Sequence, residues 1–421
     1  MSGLQLQSGL GLLGLAALAW ALGGFRRPVP WRILLAGLAL QVALAAMLLH
    51  LPPLRAAFAA LGEAVTALNR ATQAGTALVF GYLGGAPLPY AEIRPGASFI
   101  LFFQALPLIL VVGALSALLY HWRILPLLVR GISAVLRRAF GLSGACGFSV
   151  AANVFVGMVE APLLIRPWLA RLSTAEMMIV MTAGLATIAG NMMVVYATLL
   201  APVVPDAAGQ LLVASLISAP ASVLAGALMR PPRASPDSGS GPPPVAEEAH
   251  APRLYDSSME ALVRGTADGL SLLLGVMASL IVFVALVTLA DMILQPLTGW
   301  SLQALFGLLF RPLAWLMGIP GEHLATVAGS LGLKVVLNEF VAYLQLATSG
   351  GLGLDDRSRL ILTYALCGFS NFASLGIMLA GMTGMCPERR GDILALAWPS
   401  LVAANLACCM TGAVVGLLTV P

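Results

Sequence analysis

The chain has 421 residues, of which 59% are hydrophobic and 10% are charged, and its formal net charge is +4. Soluble domains carry about 25% charged residues, so this composition excludes a soluble fold and indicates a polytopic membrane protein. The small net charge comes from arginines placed in loops, which argues against a nucleic-acid-binding surface.

Eight stretches are apolar and long enough to cross a bilayer, which takes about 20 residues per helix. They are residues 4–24, 33–51, 98–120, 174–201, 208–229, 267–295, 357–384 and 392–418. Shorter amphipathic helices at the membrane surface are predicted at 54–72, 123–140, 255–265 and 300–318. Residues 73–96 are predicted to form a loop, and the Pro-, Ser- and Gly-rich residues 230–253 a disordered cytoplasmic linker.

Two further segments are apolar but are interrupted by polar residues. Residues 143–170 are broken at Asn153 and Glu160, and residues 322–348 are broken at Asn338. Each half is only about ten residues long, which is too short to cross the bilayer. We therefore predict two re-entrant hairpins, each made of two half-helices that meet at a broken tip.

Most of the basic residues fall on one side if the chain starts outside and each hairpin returns to its own side. The order hairpin, span, span then occurs twice with opposite orientation, at residues 143–229 and 322–418. The predicted fold is an all-α polytopic membrane protein with eight transmembrane helices, two opposed re-entrant helical hairpins and an inverted repeat. Inverted repeats with broken helices are typical of secondary transporters, whose site lies at the midplane between the repeats.

Glu160 and Glu339 lie at membrane depth, where a carboxylate that faces lipid costs about 2.5–3.5 kcal/mol or more. We therefore expect both acids to be buried and to face one solute site shared by the two repeats. Neutral hydroxyl and amide groups lie on the spans that follow the hairpins: Thr187, Asn191, Ser370, Asn371 and Ser374. This set favours a neutral polyhydroxylated solute, and unwound carbonyls can bind a small cation. Lys334, the only lysine in the chain, is not assigned to the site.

Other chemistry is not indicated. The five cysteines form no CxxC pair and the four histidines are scattered, so the sequence predicts no metal cluster. It also shows no nucleophile–base pair, and an enzyme is not expected.

Five motifs, in this order and spacing, resemble the concentrative nucleoside transporters: AANVFVGMVEAPLLIRP, GLATIAG, LKVVLNEFVAY, ALCGFSNFAS and ERRGDI. The resemblance covers nearly the whole chain. It implies a multi-pass protein of the cell (inner) membrane that takes up nucleosides by coupling to a cation gradient, with Na⁺ favoured. It also implies a homotrimer in the lipid bilayer, in which a transport domain slides against a scaffold domain like an elevator.

Carried over to this chain, the resemblance implies the following division. The scaffold comprises residues 1–140 and 254–320, the two transport-domain repeats are residues 141–229 and 321–421, and the linker is residues 230–253.

The resemblance also implies roles for individual residues. Glu339, Asn371 and Ser374 would bond the ribose hydroxyls. The remaining substrate-binding residues would be Gly157, Met158, Val159, Glu160, Met192 and Phe369, with Glu160, its neighbouring tip and Phe369 facing the base. The Na⁺ site would be formed by Asn153, Val156, Thr187 and Ile188, with Thr187 supplying the hydroxyl oxygen where a serine often stands.

The tip of the first hairpin departs from the family pattern, because well-known members read GQTEAP and this chain reads GMVEAP. Met158 and Val159 thus replace an amide and a hydroxyl, and such groups can decide selectivity by large factors. A purine preference, a broad selectivity and an unusual nucleoside all stay open. The alternative to Na⁺ is a proton carried by Glu160 or Glu339. The alternative functions are a non-transporting nucleoside-binding receptor and a channel.

Overall fold

A computed structural model describes residues 3–25, 29–92, 98–231 and 254–420. In these residues the regular structure is entirely helical, as predicted. The helices are α1 (Gly3–Leu22), α2 (Trp31–His50), α3 (Pro52–Phe80), α4 (Leu101–Gln104), α5 (Leu108–His121), α6 (Ile124–Phe140), α7 (Gly144–Ala152), α8 (Glu160–Leu164), α9 (Arg166–Leu169), α10 (Thr174–Ala186), α11 (Gly190–Leu200), α12 (Ala207–Met229), α13 (Ser258–Thr298), α14 (Leu302–Leu316), α15 (Leu324–Val336), α16 (Glu339–Thr348), α17 (Asp356–Leu366), α18 (Phe372–Met385) and α19 (Arg390–Leu418).

Seven helical segments of the described chain are long and apolar enough to span a membrane. They correspond to the predicted spans with one exception, the stretch 357–384. That stretch is interrupted between Leu366 and Phe372, so it consists of two shorter helices, α17 and α18. The span from Thr174 to Leu200 is also interrupted, between α10 and α11, and this second break was not predicted.

Both predicted hairpins are present. In the first, α7 and α8 are separated by residues 153–159, and in the second, α15 and α16 are separated only by residues 337–338. After each hairpin comes a broken span and then a long helix, so that α7, α8, α10, α11 and α12 correspond in order to α15, α16, α17, α18 and α19. This correspondence is the inverted repeat expected from the sequence.

Two surface elements differ from the prediction. Helix α3 continues through residues 73–80, which were expected to be loop, because a single glycine such as Gly75 weakens a helix without ending it. The expected surface helix at 255–265 and the span at 267–295 are one continuous helix of 41 residues, α13. The expected helices at 123–140 and 300–318 are confirmed as α6 and α14. Of the expected linker 230–253, residues 232–253 lie outside the described part of the chain.

The helices form a buried bundle with a pair of helices at its side. The repeat helices α12 and α19 contact each other and both α10 and α17, and α1 and α2 each pack against α12 and α19. Helix α5 instead packs against α13, most of which is exposed. The two backbones approach closely, since a Cβ atom at Gly113 would lie 2.8 Å from the Gly265 carbonyl oxygen. Helices α1 and α2 thus contact helices of both repeats.

A buried arginine, Arg357, links several helices at the edge of this bundle through hydrogen bonds. The Arg357 guanidinium at the start of α17 donates to the carbonyl oxygens of Gly318 (2.6 Å) and Gly416 (2.7 Å) and to Ser8 Oγ (3.0 Å). These partners lie on α1, on α19 and after α14. One side chain thus joins three separate parts of the chain.

Candidate functional site

Glu339 is the first residue of α16 and is buried, with 4% of its surface exposed. One carboxylate oxygen accepts a hydrogen bond from the Tyr196 hydroxyl at 2.7 Å, and the other accepts one from Asn371 Nδ2, also at 2.7 Å. Hydrogen bonds to a charged acceptor are about twice as strong as neutral ones. Helices α11 and α16 and the N-cap of α18 therefore meet at this carboxylate.

The amide of Asn371 has a second function, because Asn371 is also the N-cap of α18. Its Oδ1 accepts the backbone N–H of Ser374 at 2.8 Å. Asn405 on α19 stabilises the break between α17 and α18. Its Nδ2 donates to the Ser370 carbonyl oxygen at 3.1 Å, and its Oδ1 accepts a hydrogen bond from the Ser370 hydroxyl at 3.2 Å. The unwound turn is thus a fixed structure that aims the Asn371 amide at Glu339.

The break after α7 holds a group of oxygen atoms with few donors. The Thr187 hydroxyl lies 3.0 Å from the Asn153 carbonyl oxygen and 2.9 Å from the Ala183 carbonyl oxygen, and it can donate only one hydrogen. Asn153 Nδ2 donates to the Ser149 carbonyl at 3.1 Å. Asn153 Oδ1 and Ser149 Oγ are buried and have no hydrogen-bond partner.

Buried polar atoms are normally satisfied, so an unsatisfied acceptor in a native fold calls for an explanation. Small hard cations are bound by carbonyl, amide and hydroxyl oxygens, which are the groups found here. Ile188 is fully buried beside Thr187, and Val156 lies in the same turn as Asn153. The four residues predicted to bind Na⁺ therefore fit the chemistry of a cation site.

The two groups of residues touch through their main chains. The Phe369 N–H donates to the Thr187 carbonyl at 3.3 Å, and the Gly190 N–H donates to the Phe155 carbonyl at 2.9 Å. A Cβ atom at Gly368 would lie 2.8 Å from the Ala186 carbonyl oxygen and 2.6 Å from Cys408 Sγ. Because Gly368 has no side chain, the break between α17 and α18 can lie directly against the break between α10 and α11.

The tip of hairpin 1 is less enclosed than predicted. Glu160 is exposed, so the expectation that both acids are buried is wrong for Glu160. Glu160 lies in the first turn of a helix of only five residues, where the helix N-terminus itself stabilises a carboxylate. Its side chain lies over Gly157, whose added Cβ would meet it. Among the described residues no hydrogen bond joins Glu160 to Glu339.

The two apolar tip residues pack against glycines of the following spans. A Cβ atom at Gly184 on α10 would lie 3.3 Å from the Met158 Cβ, and one at Gly381 on α18 would lie 2.7 Å from Val159 Cγ1. Met158 is buried and Val159 is half-buried. The tip is thus held by apolar contacts with both repeats.

The remaining predicted residues lie nearby: Met192 on α11 is buried, and Phe369 and Ser374 are buried at the break between α17 and α18. Sequence reasoning missed Tyr196, Asn405 and Ser149. The only signal for Tyr196 was a hydroxyl on a long apolar span, four residues beyond Met192. Its bond to Glu339 depends on contacts between elements 143 positions apart in the chain.

Comparison with known proteins supports a transport function. Three family profiles match the chain: Na⁺ dependent nucleoside transporter N-terminus (residues 10–83), nucleoside recognition (residues 102–203) and Na⁺ dependent nucleoside transporter C-terminus (residues 210–416). The chain is 31% identical to the nucleoside permease NupC of Helicobacter pylori over 424 residues, covering 98% of this chain and 97% of that protein. It is 32% identical to the sodium/nucleoside cotransporter 1 of Mus musculus, of which it covers 64% while 99% of this chain is matched.

Solved structures agree with these relatives. The fold is similar to that of CNTnw in an inward-facing substrate-bound state, with a TM-score of 0.86, 31% identity and 98% of each chain covered. It is similar to a CNTnw variant in an outward-facing state with a TM-score of 0.87, 31% identity, and 98% of this chain and 97% of that chain covered.

Proposed function

This chain belongs to the Na⁺ dependent nucleoside transporter family and takes up nucleosides by coupling to a cation gradient, and from that premise we propose that Na⁺ is the coupling ion. The observation that carries the proposal is the buried Asn153 Oδ1, which has no hydrogen-bond donor and belongs to the residue whose main-chain carbonyl oxygen accepts from the Thr187 hydroxyl. Removing a donor-free acceptor from water costs about 1–3 kcal/mol unless a partner arrives. A cation at this position supplies that partner.

Na⁺ would be bound by the side-chain oxygens of Asn153 and Thr187 and by the main-chain oxygens of Val156 and Ile188. The Thr187 hydroxyl can donate to Ala183 while its lone pairs face the ion. An ion bound there joins the hairpin tip to α10, and the Thr187 carbonyl already accepts the Phe369 N–H. Cation binding therefore orders the same turn that positions the solute-binding residues, which is the differential interaction that coupling requires.

The ribose hydroxyls would bond to Glu339, Asn371 and Ser374. Each carboxylate oxygen accepts more than one hydrogen bond, so Glu339 keeps acceptor capacity beyond its bonds to Tyr196 and Asn371. A carboxylate that accepts hydrogen bonds from neighbouring hydroxyls distinguishes a sugar from an apolar solute.

The nucleobase would contact Phe369, Met192 and the tip of the first hairpin from Gly157 to Glu160. Met158 and Val159 present apolar groups, which leaves the exposed Glu160 as the charged group at the tip. An apolar pocket discriminates between similar ligands by only about 10–200-fold, far less than a pocket with dedicated polar groups. We therefore favour a broad base selectivity over a strict purine or pyrimidine preference.

We also propose that the protein is a homotrimer built through its scaffold. Helix α13 packs on α5 along one side, and its other side is exposed and apolar, with Ile281 64% and Leu297 78% exposed. Such a face suits contact with other subunits and with lipid. The repeat bundle, together with α1 and α2, would then slide against α5 and α13 between the two faces of the membrane.

Uptake into proteoliposomes tests the coupling ion, with a nucleoside panel and with imposed gradients of Na⁺ or H⁺. Thr187→Val removes one proposed ligand at nearly constant volume and should raise the half-saturating Na⁺ concentration about tenfold, equivalent to about 1.4 kcal/mol. Thr182→Val is the matched control, because Thr182 is buried on α10, which Thr187 caps, but its hydroxyl bonds only its own turn. Uptake that responds to the proton gradient alone, with Thr187→Val unchanged, rejects Na⁺.

Glu339→Gln is the matching test of the solute site. The amide keeps the size of the side chain but loses the charged acceptor, so uptake should fall for every nucleoside in the panel. Undiminished uptake by this variant would remove Glu339 from the ribose-binding role.

A further inference from the structure

Lys334 lies in the last turn of α15 and is buried, with 1% of its surface exposed. Its ammonium group donates to the Ala365 carbonyl oxygen at 3.0 Å. Among the described residues it forms no ion pair within 4.0 Å. Isolated buried charges cost several kcal/mol, so this ammonium requires a structural or functional reason.

The position of Lys334 in the repeat supplies that reason. Ala365 is the second-to-last residue of α17, and the last carbonyls of a helix have no partner within it. The carboxyl end of a helix also carries about half a negative charge from its aligned peptide dipoles. The ammonium therefore lies where α17 attracts a cation, directly before the break that positions Asn371.

The other repeat places a cation-binding group at the corresponding point. There, a hydrogen bond joins the end of α7 to the end of α10, just as the Lys334 bond joins the end of α15 to the end of α17. The link is the Thr187 hydroxyl, which lies against the Asn153 carbonyl oxygen at the end of α7. The last turn of α7 carries Ser149, whose buried hydroxyl has no partner, in place of a lysine. One repeat thus offers buried oxygens that can bind a cation, and the other offers a cation to a helix carbonyl.

We propose that the Lys334 ammonium is a tethered cation that fills the repeat-2 counterpart of the exchangeable cation site in repeat 1. The inference rests on the proposed Na⁺ site at Asn153 and Thr187. Its consequence is that one Na⁺ is bound with each nucleoside, because the second position related by the repeat is permanently occupied. Removing the tethered charge should create a need for a second free cation.

Purified protein in detergent provides the test, by measuring nucleoside binding and the thermal unfolding midpoint against Na⁺ at constant ionic strength with choline. The wild type should titrate with a Hill coefficient of about 1, and Lys334→Gln with one approaching 2 and a higher half-saturating concentration. Lys334→Arg keeps the charge and should keep a coefficient of about 1. A coefficient near 2 in the wild type, or an unchanged titration in Lys334→Gln, overturns the inference.

A second variant covers the case in which Lys334→Gln does not fold. Lys334→Ala leaves a cavity that a small alkylammonium can enter, so propylammonium should raise its unfolding midpoint, whereas neutral propanol should not. Equal effects of the two compounds overturn the tethered-cation inference. The failure of the underlying proposal looks different, because the wild type itself would then show no response to Na⁺ in either measurement.

Discussion

The bond between Tyr196 and Glu339 yields the sharpest prediction about the solute site. Tyr196→Phe removes only the hydroxyl that donates to the buried carboxylate at 2.7 Å. A hydrogen bond to a charged group contributes about 1.5–3 kcal/mol, so the free energy of unfolding should fall by about 2 kcal/mol. Glu339 would keep only the Asn371 amide as a side-chain donor.

Nucleoside binding should weaken as well, because the freed carboxylate must be immobilised when the ribose binds. Ordering a side chain on binding costs about 0.5–1.5 kcal/mol, and a loss of about 1 kcal/mol corresponds to roughly fivefold weaker binding. The dissociation constant can be measured by isothermal titration calorimetry in saturating Na⁺, with thermal unfolding in parallel.

Tyr343→Phe is a closely matched control. Tyr343 is also fully buried, its ring centroid lies 5.0 Å from that of Tyr196, and its hydroxyl donates to the Thr363 carbonyl at 2.8 Å. That acceptor is neutral and belongs to the main chain of α17. Tyr343→Phe should therefore lose stability while keeping its nucleoside affinity. Equal losses of affinity in the two variants would refute the view that Tyr196 acts through Glu339.

Two further predictions concern the frame around the site. Gly368→Ala should destabilise the fold by about 1–3 kcal/mol, since its methyl group would overlap Cys408, whereas Gly376→Ala, with no atom within 4 Å, should be harmless; unfolding curves compare the two. Arg357→Ala should lower the free energy of unfolding by about 3 kcal/mol or more, because it orphans several buried acceptors. If Arg357→Ala unfolded at the wild-type temperature, its role in joining α1, α17 and α19 would be disproved.

The sequence predicted the hairpins well because their breaks are chemically visible. Asn338 and Glu339 interrupt an apolar run at a point that leaves halves too short to cross, and Asn153 does the same in repeat 1. The break between α10 and α11 was missed because residues 187–189 read Thr-Ile-Ala, which is no more polar than the span around it. It is held open by tertiary contacts, the Thr187 bonds and the Gly190 N–H to Phe155.

The different burial of the two acids could not be predicted from the sequence either. Glu160 and Glu339 occupy the same place in their repeats, at the first residue of the second half-helix, and the sequence gives no reason to treat them differently. Their burial differs because α16 has 10 residues and packs against α11, while α8 has only five. Partner choice between distant helices likewise decides that α1 and α2 join the bundle, and no periodicity within those helices specifies their partners.

The length of α13 has a consequence for the membrane in which the protein works. The apolar stretch predicted at 267–295 is about 44 Å long as a helix, against a hydrocarbon thickness of about 30 Å. A tilt of about 45° from the membrane normal would fit the helix within the hydrocarbon layer. A thicker bilayer would bring the helix closer to the normal. Because α5 packs against α13 at their glycine contact, a change in the tilt of α13 should also tilt α5, the other helix of the proposed scaffold pair. The acyl-chain length of the surrounding lipids should thus act as a tuning parameter for the speed of uptake.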